Sequence, residues 1–190
     1  MVLSKAVLLL ESIRSRILGL FIFLNLKPNH LTLMGGIICI SAGVAAGLGY
    51  YILSGIVFLF GSVLDAFDGE LARRTDKETK FGAFLDSLTD RFGEGSLLLG
   101  ILYYESLNGE KVTAFIVAIA LFSSLLVSYV RARGESLDLS ASGGIAPRQV
   151  RVPLMIIPLF FPIILQIVMI ALALISFITV IQRSFSAFRD

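Results

Sequence analysis

Apolar runs of bilayer-crossing length recur along this chain, and the segments outside them, the two ends included, hold most of its basic residues. A membrane-spanning helix needs about 20 predominantly apolar residues. The pattern predicts six such spans, at 31–49, 52–73, 82–103, 112–132, 149–161 and 163–183. Only Pro158 and Pro162 separate the last pair, so one long helix there, leaving five spans, is the alternative. Residues 3–24 read differently, as an amphipathic helix lying at the interface with Lys5, Glu11, Arg14 and Arg16 toward water. A cleaved signal peptide fits poorly, because the apolar run Ala6–Leu10 stops at Glu11 and no small-residue cleavage site follows. The expected fold is an all-α integral membrane protein. It forms one domain over 1–190, with the interfacial helix in 1–26 and the six-helix bundle in 27–190.

Composition agrees, with 56% hydrophobic and 16% charged residues. The net charge of +2 says little, but its distribution fixes an orientation. With six spans, fourteen of the sixteen basic residues fall on one side; only Lys111 lies opposite, and Arg91 sits within the third span. The positive-inside rule then makes both termini, and the aspartates described next, cytoplasmic. The expected location is the cell membrane, and no nucleic acid polymer is expected as a partner. Cys39 is the one cysteine, which excludes an internal disulfide and a thiolate metal site.

Against this apolar background Asp65, Asp68, Asp86 and Asp90 stand out. Each charge near a bilayer centre costs about 2.5–3.5 kcal/mol, so the four unpaired would cost on the order of 10 kcal/mol. At roughly 100° per residue, Asp65, Asp68, Gly69, Ala72 and Arg73 share one face of a helix. Gly82, Asp86 and Asp90, four residues apart, form a stripe on the next. Two facing carboxylate stripes with small residues between them suit hard cations and a ligand.

The full pattern D-x2-D-G-x2-A-R-x8-G-x3-D-x3-D, from Asp65 to Asp90, resembles the signature of the CDP-alcohol phosphotransferases, membrane enzymes that displace CMP from a CDP-activated substrate with an alcohol. The resemblance implies the same six-helix arrangement and a homodimer. It implies two divalent cations per site, usually magnesium with manganese as a substitute, on Asp65, Asp68 and Asp86. Asp90 maps to the general base and to a shared metal ligand. Gly69, Ala72 and Arg73 map to CDP-lipid contacts, and Thr79, outside the motif, to a nucleotide contact. Pro28-Asn29-His30-Leu31-Thr32 matches a Pro-Asn-x-x-Thr segment typical of the family, which makes Asn29 and Thr32 cytidine contacts. The same segment also reads as a helix start capped by Asn or Thr.

The acceptor is read from Arg131, Arg133, Arg148 and Arg151, which flank the loop between the fourth and fifth spans. Arginine forks bind phosphate well, so Arg131, Arg148 and Arg151 are candidates for the phosphate of a phosphorylated acceptor; topology alone would also populate this loop with basic residues. The segments look similar to those of phosphatidylinositol-phosphate synthases and archaeal ether-lipid enzymes, which use inositol 1-phosphate. The expected reaction moves a diacylglycerol- or archaeol-type phosphate from a CDP-lipid to an inositol phosphate hydroxyl and releases CMP. Glycerol 3-phosphate is the competing acceptor, and a carboxylate-lined cation transporter is the reading from another class.

Overall fold

The computed structural model describes residues 2–189, without the side chains of residues 2–11 and 13. The described residues form α1 (Val2–Phe23), α2 (Pro28–Gly47), α3 (Tyr51–Arg74), α4 (Lys80–Leu107), α5 (Lys111–Glu135), α6 (Arg148–Phe160) and α7 (Leu165–Arg189), with no strand among them. Four stretches are long and apolar enough to cross a membrane: α2, α3, α5 and Pro162–Arg189. α4 has the length but carries Asp86, Asp90, Arg91 and Glu94 along its first fifteen residues, and α6 has only 13 residues. A 3-10 turn at Pro162–Ile164 separates α6 from α7, so the chain does break near the two prolines.

The bundle is a ring. α2 packs on α3 and α4, α4 on α5, α5 on α7, α7 on α6, and α6 returns to α3. Between membrane helices, close approach depends on small residues, because lipid offers no hydrophobic drive for association. Where α2 crosses α4, a Cβ on Gly100 would run into the Gly43 carbonyl, and one on Gly43 into the Ser96 carbonyl. The core inside the ring combines Ala42, Ala46, Phe58, Leu97, Leu98, Ile101, Val117, Met155, Leu159 and Met169. Many large apolar side chains point outward, among them Ile37, Ile52, Phe60, Phe115, Ile167 and Leu174, as a lipid-facing surface requires.

α1 lies against α3, with Leu18 buried on Leu31 and Leu71 and Phe21 edge-on to Phe67. Arg14 is exposed and pairs with Glu70, and Arg16 is exposed. The expected outward positions of Lys5 and Glu11 lie outside the described side chains. One local expectation is corrected. Neither Asn29 nor Thr32 caps α2, which starts after Lys27 with Pro28 in its first turn and no side-chain cap. Proline is preorganised for that position because its missing N–H would go unused there. The Thr32 hydroxyl is thereby free to bond elsewhere.

Candidate active site

α3 ends and α4 begins at the same end of the ring, so their carboxylates meet across the junction 75–79. The α4 start is fixed by Thr79, whose hydroxyl accepts from the Gly82 amide at 2.9 Å. Asp65, Asp68 and Asp86 then bring one carboxylate oxygen each to within 4.8 Å of one another. Asp65 and Asp68 are buried and Asp86 is half-buried. Thr32 of α2 donates to Asp68 and to the Pro28 carbonyl, which explains its place in the motif better than a cap would.

Asp90 stands outside that tight group. It pairs with Arg91 at 3.1 Å and with Arg148 of α6. Arg148 also donates to Asp65 at 3.0 Å and approaches Glu94 at 3.4 Å. Five carboxylates (Asp65, Asp68, Asp86, Asp90, Glu94) are therefore met at this end of the ring by the guanidiniums of Arg91, Arg148 and Arg151. Asp90 Oδ1 and Glu94 Oε1 are both buried, and among the described contacts each meets only the Arg148 guanidinium, without a well-aligned hydrogen bond. The donor set of Asp65, Asp68 and Asp86 is all oxygen and convergent, and none of the described ion pairs engages Asp68 or Asp86. It fits a divalent cation.

Two cavities lie near this cluster, one against the aspartates and one against Arg148. One, of about 210 Å³, is lined by Asn29, Thr32, Asp68, Gly69, Ala72, Arg73, Lys77, Thr79, Gly82 and Asp86. Every residue assigned to the nucleotide from sequence therefore lines one space. Gly82 is needed there, since a Cβ would press on Thr79 Oγ1 at 3.0 Å and Asn29 Oδ1 at 3.1 Å. The second, of about 570 Å³, opens between α1, α3 and α6 and is lined by Arg14, Ser62, Phe67, Arg148, Gln149 and Val152, among others.

The sequence-assigned arginines do not all converge. Arg148 reaches the aspartates. Arg151, 2% exposed, donates to Glu94 at 3.1 Å, the Ala146 carbonyl at 3.1 Å and Ser128 at 3.3 Å. Arg131 is exposed and pairs with Glu135 at 2.7 Å, one turn along α5. Two structural participants were not singled out from sequence. Glu94 lies four residues after Asp90 and extends the 82–86–90 stripe by one more step, which is the signal that would have found it. Arg183 of α7 was counted only as a topological charge. It is buried and donates to the carbonyls of Gly143 at 2.7 Å and Val127 at 2.6 Å, tying the α5–α6 loop to α7. Thr179 accepts from the Ala146 amide at 2.9 Å beside it. Gly144, at φ +110° and against the Thr179 methyl, admits no side chain. This anchoring sets where α6 begins, and so where Arg148 and Arg151 stand.

Comparison with known proteins agrees with these features. The family model for CDP-alcohol phosphatidyltransferase matches residues 25–185. The archaetidylinositol phosphate synthase of Pyrococcus horikoshii is 39% identical over 168 residues, covering 86% of this chain and 85% of its own. The phosphatidylinositol phosphate synthase of Corynebacterium glutamicum is 32% identical over 178 residues, covering 86% and 78%. The crystal structure of Mycobacterium tuberculosis phosphatidylinositol phosphate synthase with CDP-DAG bound superposes with a TM-score of 0.86 at 26% identity, covering 93% of this chain and 94% of that one. The same enzyme in complex with manganese and citrate also gives 0.86, covering 92% and 88%. Matched by this family model over residues 25–185 and by these relatives over most of its length, this multi-pass membrane protein is an enzyme of the CDP-alcohol phosphatidyltransferase family.

Proposed function

We propose that this enzyme transfers a phosphatidyl- or archaetidyl-type phosphate from a CDP-lipid to a hydroxyl of inositol 1-phosphate, releasing CMP. The observation that carries the reading is the position of the three-aspartate group, between a cavity lined by the nucleotide-motif residues and Arg148. The names of the archaeal and actinobacterial relatives support the inositol phosphate acceptor. Membership of a transferase family sets the transporter reading aside.

In this reading the cytidine and diphosphate lie along Asn29, Thr32, Gly69, Ala72, Arg73 and Thr79. The small residues let the nucleotide approach the α3 backbone, and Arg73 supplies charge to phosphate. Asp65, Asp68 and Asp86, with Asp90 contributing by motif, would hold two magnesium ions, for which manganese can stand in. Such cations clamp a diphosphate and stabilise the charge on departing CMP. The acceptor hydroxyl attacks the lipid-linked phosphorus, the bond from that phosphorus to the CMP oxygen breaks, and Asp90 takes the hydroxyl proton. Arg148 and Arg151 hold the acceptor's own phosphate, while Arg131, paired with Glu135 on its own helix, does not join them.

The chain crosses the membrane six times, α4 and α6 included, with both termini and the aspartates on the cytoplasmic side. α1 lies in the interface, and the protein acts as a homodimer. A direct test supplies CDP-diacylglycerol or its archaeol counterpart with labelled inositol 1-phosphate or labelled glycerol 3-phosphate. Label should enter lipid from inositol phosphate. Incorporation from glycerol phosphate alone would replace the acceptor while leaving the reaction class intact.

A further inference from the structure

Among the described contacts, Glu94 is the one residue that touches both Arg148 and Arg151. It is 3% exposed and sits on α4 one turn beyond Asp90. Its Oε2 accepts from Arg151 Nη2 at 3.1 Å and from the Ser124 hydroxyl at 3.4 Å. Its Oε1 lies 3.4 Å from Arg148 Nε, and neither of these two buried atoms has a hydrogen-bond partner. The two arginines are therefore held unequally. Arg151 is fixed on three sides, by Glu94, Ser128 and the Ala146 carbonyl. Arg148 is drawn by Asp65 and Asp90 through its terminal nitrogens and by Glu94 through Nε.

We propose that Glu94 is a positioning residue for the acceptor: it sets the spacing and orientation of Arg148 against the buried Arg151, so that Arg148, which lines the cavity between α1, α3 and α6, presents to the acceptor's phosphate with the charge of Arg151 behind it. The inference rests on the reading above that these two arginines hold the acceptor's phosphate. Two guanidiniums this close repel each other in a low-dielectric surrounding, and a shared carboxylate is what allows them to stand side by side. Bidentate recognition depends on angle as well as charge, so arginines left to separate would grip a phosphate badly. Glu94 does not touch substrate in this scheme. It acts through the arginines, in the way that groups behind a ligand orient it.

The test compares Glu94→Gln, Glu94→Asp, Arg151→Gln and the double variant Glu94→Gln/Arg151→Gln, each purified in detergent and checked for a monodisperse elution profile. KM for inositol 1-phosphate and KM for CDP-diacylglycerol are measured separately. Glu94→Gln should raise the acceptor KM about tenfold, the lower end of the loss expected when an orienting group is removed. The CDP-lipid KM should stay within about twofold. Glu94→Asp, which keeps the charge but retracts it, should fall between wild type and Glu94→Gln. It also carries the test if Glu94→Gln is not recovered folded. Adding Glu94→Gln to Arg151→Gln should raise the acceptor KM far less than it does in wild type, as expected for residues acting as one unit. An acceptor KM unchanged or lowered in Glu94→Gln and Glu94→Asp, or both KM values raised together, overturns the inference. An unchanged acceptor KM in Arg151→Gln overturns the phosphate reading on which it stands.

Discussion

At one end of the ring, Glu105 is buried against a single neutral partner, the Tyr51 hydroxyl. At the other, Asp65, Asp90 and Glu94 share the Arg148 guanidinium, with Asp68 and Asp86 close by. Both ends have cavities, and the one at the Glu105 end is the larger, about 720 Å³ against about 210 Å³ beside the aspartates. Size therefore does not identify the working site. A buried acid matched one-to-one with a hydroxyl is self-contained. A cluster of several convergent carboxylates draws in cations and cationic side chains, because their mutual repulsion must be offset. The number of carboxylates that converge, more than depth or volume, distinguishes the aspartate end from the Glu105 end.

If that contrast is right, substitutions at the two ends should differ by orders of magnitude. Asp68→Asn and Asp86→Asn should do most harm, since each removes a ligand from a site worth several kcal/mol of charge stabilisation. A fall in kcat/KM on the order of 10³-fold or more is expected, with weakened manganese binding by titration. Asp90→Asn should lower kcat by about 10²–10⁴-fold, the range of general-base assistance, while CDP-lipid binding is retained. If Asp90→Asn loses CDP-lipid as badly as Asp68→Asn, the division of roles between them is wrong.

Smaller effects sharpen the contrast on the acceptor side. Arg148→Gln should raise the acceptor KM roughly ten- to a hundredfold, because a charge-assisted hydrogen bond is worth about 1.5–3 kcal/mol. Arg131→Ala should change it by less than about fivefold, since its exposed pair with Glu135 belongs to a weak class. Smallest of all, Tyr51→Phe should leave kcat/KM within about twofold. Its cost appears as thermal stability, about 1–3 kcal/mol for an acid left without its partner. A large activity loss in Tyr51→Phe would mean that the two ends are coupled.

Much of this was legible in the sequence. The aspartate stripes follow from helical spacing alone, and α3 and α4 carry them on facing surfaces because the intervening turn is short. The residues assigned to nucleotide by motif share one cavity for the same reason, as Pro28–Thr32 starts α2 at the end where α3 stops. What stayed hidden depends on contacts between distant segments. Glu94 lay within an apolar run and past the end of the motif, and its meaning comes from Arg151, 57 positions away. Arg183 looked like one more basic residue near a terminus, but its carbonyl contacts lie 40 and 56 positions upstream. Arg131 and Arg148 flank the same loop in sequence, yet near the end of α5 Arg131 is turned to its own helix neighbour. Charge pattern reports composition at an end of the bundle; which charges meet is decided by helix rotation and loop anchoring.

The central claim is that the aspartate end performs a cation-dependent transfer, and CMP release tests it most directly. Purified protein is given CDP-diacylglycerol and inositol 1-phosphate, with magnesium, with excess chelator, and with chelator followed by manganese or calcium. CMP should appear in step with lipid-linked inositol phosphate. Release should stop in chelator, return with magnesium or manganese, and return poorly with calcium, whose looser coordination misplaces the phosphates. Full CMP release in excess chelator would contradict the account.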